Sequence, residues 1–502
     1  MHIVVAAASI ARDAAQGVAM PTPFPARLHV EVTTRCNLRC PMCVKQTPGC
    51  RIDEGDLPYE HFVRLQSVLP AVQSLVLNGI GEPLLHPDLA TMLRFARAHM
   101  PADASIGFQT NGQLLTPALA QAVVQAGVDR ICFSVDGLDD VPAAPNAITV
   151  PAALNAPAAP AAQNAPDVPS VPAAPALFAP ASHHPASMGH GEGHAARLAG
   201  LMALLRDVPS PRPGGVQLGC EYVFMRDNAH QLPQVVRWAA QQGARFMLVS
   251  HVLPYDASMA HQSLFVPDTE EALAFMRVKH AEAAAQGLHL GDYFDVLWKF
   301  YKTDAEKALV AFVGTMQEQA VAQGISLHLR RLLGKGSVGG GKAYGGPALD
   351  PAAVAHLFAA AQAEADVAGM ELSLPQMGPR LTRRCEFVEE GAAFIAADGG
   401  VYPCQFLWHR YACFLDGEVK QVFPRCFGTL AEHTLEQLWN GEAWRAFRAE
   451  VLSYRYPDCT NCPTVPCDDI TGTYGEFDMD CHGVTVPCGH CPWCLGGVQC
   501  LG

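Results

Sequence analysis

Three cysteines near the start of the chain have spacing that suits a metal cluster. Cys36, Cys40 and Cys43 follow the pattern C-x3-C-x2-C within eight residues. Three thiolates so close together can bind three irons of a four-iron, four-sulfur cluster and leave the fourth iron without a protein ligand. An iron with an open position can bind a small molecule, as catalytic metal sites do. The alternative is a closed site in which Cys50 supplies the fourth ligand.

A second group of cysteines lies at the other end of the chain, where residues 381–502 hold twelve of the 18 cysteines. Clustered C-x2-C spacings in a large chain favour metal ligation over a disulfide scaffold. Iron–sulfur clusters and two zinc sites of four thiolates each both fit these spacings. Cys413 and Cys426 are interpreted as spare thiols on a loop-like stretch. The ten candidate ligands are Cys385, Cys404, Cys459, Cys462, Cys467, Cys481, Cys488, Cys491, Cys494 and Cys500.

The elements that must position the first cysteines alternate between strand-like and helix-like segments. This βα repetition predicts an α/β fold with a parallel sheet or barrel, whose chemistry lies at the carboxyl ends of the strands. The predicted strands are Leu28–Thr33, Ser74–Leu77, Ser105–Thr110, Arg130–Val135, Gln217–Met225 and Arg245–Val252. The predicted helices between them are Tyr59–Leu69, Pro87–Ala98, Pro117–Ala126 and Leu232–Gln242.

A Pro/Ala-rich tract interrupts this repetition. Residues 141–190 contain 17 Ala and 11 Pro but only one charged residue, Asp167. Repeated prolines break both helices and sheets, so we predict an insertion within one domain. Its end carries His183, His184, His190 and His194, which could bind a transition metal, although a solvated linker is the simpler interpretation.

The segments predict four regions. Residues 1–26 form an N-terminal extension and residues 27–265 a barrel domain, interrupted by the insertion at 139–196. Residues 266–380 form a helical bridging region, and residues 381–502 form a small Cys-rich domain. A chain of 502 residues has ample material for such a division.

Composition excludes some partners. The chain has 34 Lys and Arg against 48 Asp and Glu, a net charge of −14, so no global field attracts nucleic acid or anionic lipid. The sequence contains no uncharged apolar run of 18 or more residues, so we predict no membrane span. Met1–Ile10 lacks the basic flank of a signal peptide. We therefore expect a cytoplasmic protein without nucleic-acid or membrane partners.

The first cysteine motif and the strand ends that follow it resemble the radical S-adenosylmethionine (SAM) superfamily. That resemblance implies a partial (β/α)6 barrel whose cluster, held by Cys36, Cys40 and Cys43, binds SAM at its open iron. Short polar motifs end the second, third and fourth strands: Asn78–Pro83, Thr110–Gly112 and Ser134–Gly137. By resemblance, the SAM contacts are Gly79, Gly81, Glu82, Asn111, Ser134 and Asp136.

The second cysteine group resembles a SPASM domain, which carries two auxiliary four-iron clusters in radical SAM enzymes that mature peptides and proteins. The pattern C-x13-G-x4-C from Cys385 to Cys404 carries this resemblance. The run from Cys459 departs from the usual C-x2-C-x5-C-x3-C spacing, so which eight cysteines are ligands stays open. The residues around Arg384–Gly391 and Asp480–Cys500 are similar to those of proteins that mature metalloenzymes, including the maturases of tungsten-cofactor oxidoreductases.

The resemblance implies an enzyme that reductively cleaves SAM to a 5′-deoxyadenosyl radical and matures a metalloenzyme or its tungsten- or molybdenum-type cofactor. It implies a protein or peptide substrate and an electron donor such as ferredoxin or flavodoxin. One alternative is radical modification of a ribosomally made peptide or protein, by a thioether crosslink or sulfatase-type maturation. The alternative from another class is a non-catalytic iron–sulfur electron-transfer protein.

Overall fold

The structure is a computed structural model of the full chain. It describes residues 23–47, 50–138, 193–265, 270–325, 327, 329–333, 351–380, 383–415, 418–457, 475–499 and 501. Most of the Pro/Ala-rich tract and four of the predicted cysteine ligands lie outside these residues. No helix in the described ranges combines the length and apolar character needed to cross a membrane.

Six parallel strands form the centre of the molecule and lie side by side in chain order. They confirm the predicted α/β fold with six βα strands. Their carboxyl ends share one edge, which is where the polar motifs lie. The strands are β1 (Arg27–Val30), β2 (Ser74–Leu77), β3 (Ser105–Thr110), β4 (Arg130–Ser134), β5 (Gln217–Phe224) and β6 (Phe246–His251).

Helices cover one face of this sheet, and the main apolar core lies between the two layers. The sequence explains their starts. At α3, for example, the Thr116 side chain accepts a hydrogen bond from the Leu119 amide, and Pro117 occupies the first turn. The helices are α1 (Tyr59–Val63), α2 (Leu89–His99), α3 (Pro117–Gln125), α4 (His194–Asp207) and α5 (Leu232–Gln241).

Most predicted elements differ from the structure by one to three residues at a boundary, and two differences need comment. The helix predicted over Tyr59–Leu69 ends at Val63 and continues as 3-10 turns. Pro70 disfavours a helical conformation at the residue before it and cannot donate a backbone hydrogen bond. Helix α4 begins at His194, inside the range assigned to the insertion.

The described residues between 270 and 368 are mostly helical. Helices α6 to α9 pack around a separate apolar core that includes Val313 and Met316. The next helix packs against α5 instead. These helices are α6 (Glu270–Ala285), α7 (Tyr293–Leu297), α8 (Asp304–Ala322), α9 (Leu329–Leu333) and α10 (Pro351–Ala368).

The residues that follow α10 continue the central sheet on both sides, and the first of their strands lies within the range predicted to be a helical bridge. Strand β7 (Glu371–Ser373) is parallel to β6, and β8 (Ala392–Ile395) is parallel to β1. This pairing places the second cysteine group beside the first strand. The remaining elements are α11 (Glu386–Glu389), β9 (Gly400–Tyr402), β10 (Tyr411–Leu415), β11 (Glu418–Val422), β12 (Gly428–Thr429), α12 (Leu435–Asn440) and α13 (Glu442–Leu452).

Candidate functional site

The loop that carries the first three cysteines follows β1 directly and is compact. The Cys43 amide donates to the Cys40 carbonyl at 2.9 Å, and the Leu38 amide donates to Cys36 Sγ at 3.4 Å. All three thiols are partly exposed and lie within electrostatic range of one another. The structure therefore brings the predicted ligand set together at the carboxyl edge of the sheet.

Burial, together with the negative groups around the thiols, disfavours their ionisation. Burial raises the pKa of Cys40 to about 12, with Asp136, Cys43 and Cys36 adding to the effect. Burial likewise raises the pKa values of Cys36 and Cys43. A cationic centre reverses this balance because thiolates bind it in exchange for their protons. Three thiols in this environment are therefore better suited to bind a metal cluster than to exist as free thiolates.

The stem of this loop is held by charged hydrogen bonds. The Arg35 guanidinium donates to both oxygens of Asp56, at 2.9 and 2.6 Å, and the Thr33 hydroxyl donates to the same carboxylate at 2.6 Å. The Lys45 ammonium donates to the Thr34 carbonyl at 2.6 Å. Such bidentate and charge-assisted bonds fix the orientation of the loop.

Gly79 and Gly81 lie where the second strand's loop meets the chain after β1. A Cβ on Gly79 would lie 2.5 Å from the Glu31 side chain, and one on Gly81 would lie 2.1 Å from the Thr33 carbonyl oxygen. No side chain fits at either distance. Both glycines therefore allow two loops to pack closely, which is a role that the sequence motif did not indicate.

Glu82 is the anchor between this loop and the third strand. Its carboxylate accepts hydrogen bonds from the Thr110 hydroxyl at 2.7 Å, the Asn111 amide at 2.8 Å and the Leu84 amide at 3.1 Å. Its side chain is buried, and burial raises the pKa of Glu82 while these bonds oppose the rise. The three donors leave Glu82 with capacity for a further hydrogen bond or ion pair.

Asn111 connects the third strand to the cysteine loop. Its side-chain amide donates to Asn37 Oδ1 at 3.0 Å, and its own oxygen accepts from the Gln113 amide at 2.9 Å. Asn37 lies between Cys36 and Cys40 in sequence. The predicted residue Asn111 is therefore adjacent to the cysteine ligands.

Ser134 and Asp136 lie at the end of β4 and complete the same edge. Asp136 is buried and acts electrostatically on Cys40. The Ser134 carbonyl lies 3.3 Å from His194 Nε2 at the start of α4. His194 is buried, so the interpretation of this histidine as part of a solvated linker is wrong. His183, His184 and His190 lie outside the described residues.

The sequence analysis missed Glu31, which follows β1 and is fully buried. Its carboxylate accepts from the Ile80 amide at 3.1 Å and from the Ala397 amide at 3.2 Å. His409 Nε2 lies 3.5 Å from the same carboxylate. Glu31 thus joins the loop after β2 to the C-terminal region. The signal that could have identified Glu31 is a charged residue within an apolar strand, just before the cysteine motif.

In the second group, four described cysteines converge. The Cys494 thiol lies within hydrogen-bonding reach of the Cys385, Cys488 and Cys491 sulfurs, which raises its pKa. Burial raises the pKa of Cys404, as do the nearby Cys491, Cys488 and Cys385 thiols. Among the described side chains, no three His, Cys, Asp or Glu groups already surround a single ion position. The five thiols nevertheless provide the donor set that iron–sulfur clusters use.

The other C-terminal cysteines differ in placement. Cys481 is exposed, and Cys459, Cys462, Cys467 and Cys500 lie outside the described residues. The interpretation of Cys413 as part of a loop is wrong. This cysteine is buried on β10, because residues 411–415 pair with β11 and its side chain faces the core. Cys426 is exposed, as a spare thiol would be.

Family models match two parts of the chain. Residues 30–155 match the radical SAM superfamily, and residues 385–463 match SPASM, an iron–sulfur cluster-binding domain. The first match contains the Cys36–Cys43 loop, and the second begins at Cys385. Both agree with the resemblance drawn from the motifs.

Individual proteins are also similar. A tungsten-containing aldehyde ferredoxin oxidoreductase cofactor-modifying protein from Pyrococcus furiosus is 24% identical over 94% of this chain and 96% of its own length. A GTP 3′,8-cyclase from a Synechococcus species is 38% identical over 23% of this chain and only 34% of its own length. Streptococcus suis SuiB bound to the precursor peptide SuiA aligns with 88% of this chain and 70% of its own at 12% identity and a TM-score of 0.42.

The matched ranges, the six parallel strands and the cysteine loop at their carboxyl edge agree with one another. Iron–sulfur clusters and SAM are the cofactors of this type of protein. The chain is therefore an enzyme that carries a radical SAM domain and, C-terminal to it, a SPASM iron–sulfur domain.

Proposed function

We propose that this enzyme reductively cleaves SAM and uses the product to mature a metalloenzyme or its tungsten- or molybdenum-type cofactor. When bound at Cys36, Cys40 and Cys43, a four-iron cluster supplies the electron that cleaves SAM to methionine and a 5′-deoxyadenosyl radical. The observation that carries this proposal is the placement of these partly exposed thiols beside Glu82 and Asn111.

The chain's own residues bind and orient SAM in this proposal. Glu82 accepts three hydrogen bonds, and the remaining acceptor capacity of its carboxylate suits the SAM ammonium group. Asn111, Ser134 and Asp136 surround the same edge and supply polar contacts to the methionine and ribose parts. Gly79 and Gly81 keep the Glu82 loop close to the cysteine loop.

The C-terminal cysteines hold auxiliary iron–sulfur clusters in this proposal. Cys385, Cys488, Cys491 and Cys494 are buried together, and Cys404 adjoins them. A set of four thiolates closes a cluster, which suits electron relay or a structural role. The second auxiliary cluster uses ligands from Cys459, Cys462, Cys467, Cys481 and Cys500.

The substrate class is supported by the Pyrococcus relative, which is similar along nearly the whole chain. We infer that the substrate is a protein, and that the partner is an oxidoreductase with a tungsten- or molybdenum-type cofactor. A low-potential donor such as ferredoxin or flavodoxin supplies the electron.

The first experiment is anoxic incubation of the reconstituted enzyme with dithionite and SAM, with 5′-deoxyadenosine measured by chromatography. We expect 5′-deoxyadenosine from the wild-type protein and none from Cys40→Ala. Intact clusters without any 5′-deoxyadenosine would instead indicate an electron-transfer protein.

The second experiment addresses the substrate. An anoxic pull-down from the native cells should recover an oxidoreductase, and the enzyme with SAM should restore the activity of its cofactor-deficient form. A mass change in a co-expressed peptide, without any such restoration, would overturn the maturation proposal in favour of peptide modification.

A further inference from the structure

The face of the sheet that points away from the main helices carries a second set of polar side chains. Along β5, Cys220 and Tyr222 belong to the main core, so Glu221 between them points to the opposite face. Along β4, Phe133 belongs to the same core, so Ser134 faces the same way as Glu221. Ser134 and Glu221 are paired in the β4–β5 register.

One end of this face is closed by an apolar floor. Val76, Cys132, Phe246 and Leu501 form a separate buried cluster. Gly219 makes room for it, because a Cβ there would lie 2.2 Å from the Phe246 ring. Glu221 is two residues further along β5 on the same face, so it lies one layer nearer to the carboxyl edge. The floor therefore separates Glu221 from the far end of the sheet.

Gln109 links Glu221 to the SAM edge. Its side-chain nitrogen donates to Glu221 Oε2 and lies 3.4 Å from Ser134 Oγ, which accepts from it. All three side chains keep partial exposure, as expected for residues that line a recess. A hydroxyl that accepts from an amide keeps its single hydrogen available for another acceptor.

The charge state of Glu221 is finely balanced. Burial raises its pKa to about 7, the bond from Gln109 opposes this rise, and the negative charge of Asp136 adds to it. The Cys132 thiol also interacts with Glu221, and His194 lies beside Ser134. Arg130 lies over the Phe246 ring, at 4.1 Å, as part of the floor.

We propose that Glu221 is a positioning residue: as a carboxylate it holds the Gln109 amide toward Ser134 and so directs the Ser134 hydroxyl hydrogen to bound SAM. The proposal rests on the proposed SAM contact of Ser134. Protonation of Glu221 at Oε2 converts the oxygen that accepts from Gln109 into a donor, so the amide turns its oxygen toward Glu221 and its nitrogen leaves both partners. SAM then binds less tightly.

The test is the pH dependence of SAM affinity, measured by anoxic equilibrium dialysis on the oxidised, reconstituted enzyme from pH 6 to 8.5. Wild-type affinity should rise roughly fivefold as pH passes through about 7, the change expected for one hydrogen bond. Glu221→Gln should bind weakly across this range and lose that step, and Glu221→Asp should retain part of it. The SAM amino group titrates near pH 8 in every variant, so the comparison is between variants.

Two further variants keep the test decisive. Glu364 is a partly exposed carboxylate on α10 that pairs with Arg237, and Glu364→Gln is the matched control, which should keep the wild-type profile. If Glu221→Gln does not fold, Gln109→Met removes the same link and should show the same weak, flat profile. Wild-type pH profiles in both Glu221→Gln and Gln109→Met would overturn the proposal. If the wild-type protein failed to bind SAM at every pH, the proposed function would fail instead.

Discussion

The two cysteine regions of this enzyme differ in exposure and in their neighbours. Cys36, Cys40 and Cys43 are partly exposed and lie beside the polar side chains Glu82 and Asn111. In the C-terminal region, Cys494 is fully buried, and the Cys488 thiol lies within hydrogen-bonding reach of the Tyr456 hydroxyl. This difference is what the proposed function requires of similar C-x2-C spacings: one metal site open to a small ligand, and one closed by the protein.

The chain positions the two regions by different means. The first loop is held by the Arg35–Asp56 ion pair and follows a strand of the parallel sheet. The second is assembled from segments far apart in sequence, since Cys385 meets Cys494. Arg380 helps to join these segments, because its guanidinium donates to the Cys494 and Trp493 carbonyls at 3.0 Å. A cluster with one open iron needs neighbouring residues that hold its loop rigid. A cluster with four protein ligands itself crosslinks the segments that bind it.

The largest predicted effect separates these regions by mutation. Cys40→Ala should abolish 5′-deoxyadenosine formation, by at least three orders of magnitude, but keep the C-terminal iron. Cys494→Ala should lose C-terminal iron and thermal stability but still cleave SAM, because its site is distinct from the SAM edge. Iron content and product formation, measured on both variants, check this prediction. Loss of all iron in Cys40→Ala would contradict the separation.

A second prediction concerns the polar frame of the open site. Glu82→Gln replaces one carboxylate oxygen by an amide nitrogen, although three donors converge on Glu82. At least one donor is then left without an acceptor, which should cost about 1–3 kcal/mol in unfolding free energy. SAM affinity should fall at least tenfold. Glu60→Gln, an exposed carboxylate on α1, is the control, and equal SAM affinities in the two variants would exclude a binding role for Glu82.

A third prediction uses a histidine where the two regions meet. His29 on β1 packs against Phe387, with ring centroids 4.9 Å apart, and burial lowers its pKa to about 4. The unfolded chain therefore binds more protons than the folded one between about pH 4 and 6.5, so stability falls as the pH drops through this range. At pH 5.5 the loss from His29 is on the order of 1 kcal/mol.

Denaturant unfolding under anoxia at pH 7.5 and 5.5 checks this effect. His29→Gln should lose less stability on acidification than the wild-type protein does. His289→Gln, which changes an exposed histidine, should behave as the wild-type protein does. An acid response in His29→Gln equal to that of the wild-type protein would assign the acid sensitivity to other groups.

The smallest predicted effect is that of Cys50→Ala. The Cys43 thiol interacts more strongly with Cys36 than with Cys50. We therefore expect Cys50→Ala to cleave SAM at the wild-type rate within about twofold. A loss of the N-terminal cluster in this variant would support the closed site instead.

The sequence predicted the parts of the molecule that local patterns determine. The strands at Ser74–Leu77 and Ser105–Thr110 and the cysteine loop are read from alternation and spacing, and the structure has them there. The polar strand ends could be predicted because parallel strands end at one edge. Their contacts, such as Asn111 with Asn37, required the fold.

The parts that could not be predicted depend on long-range pairing. Glu31 accepts from the amide of Ala397, 366 residues later, and no local pattern indicates that β8 lies beside β1. Glu221 faces the recess only because the neighbouring residues of β5 fill the core. His194 followed a Pro/Ala-rich tract, so its burial could not be read from composition.

The most direct test of the open iron is Mössbauer spectroscopy of the iron-57-reconstituted enzyme under strict anoxia, with and without SAM. The spectra should be recorded for the wild-type protein and for Cys50→Ala. If one iron of the N-terminal cluster is open, SAM should shift the signal of that iron in both proteins. An N-terminal cluster whose four irons all keep their signals when SAM is added would contradict it.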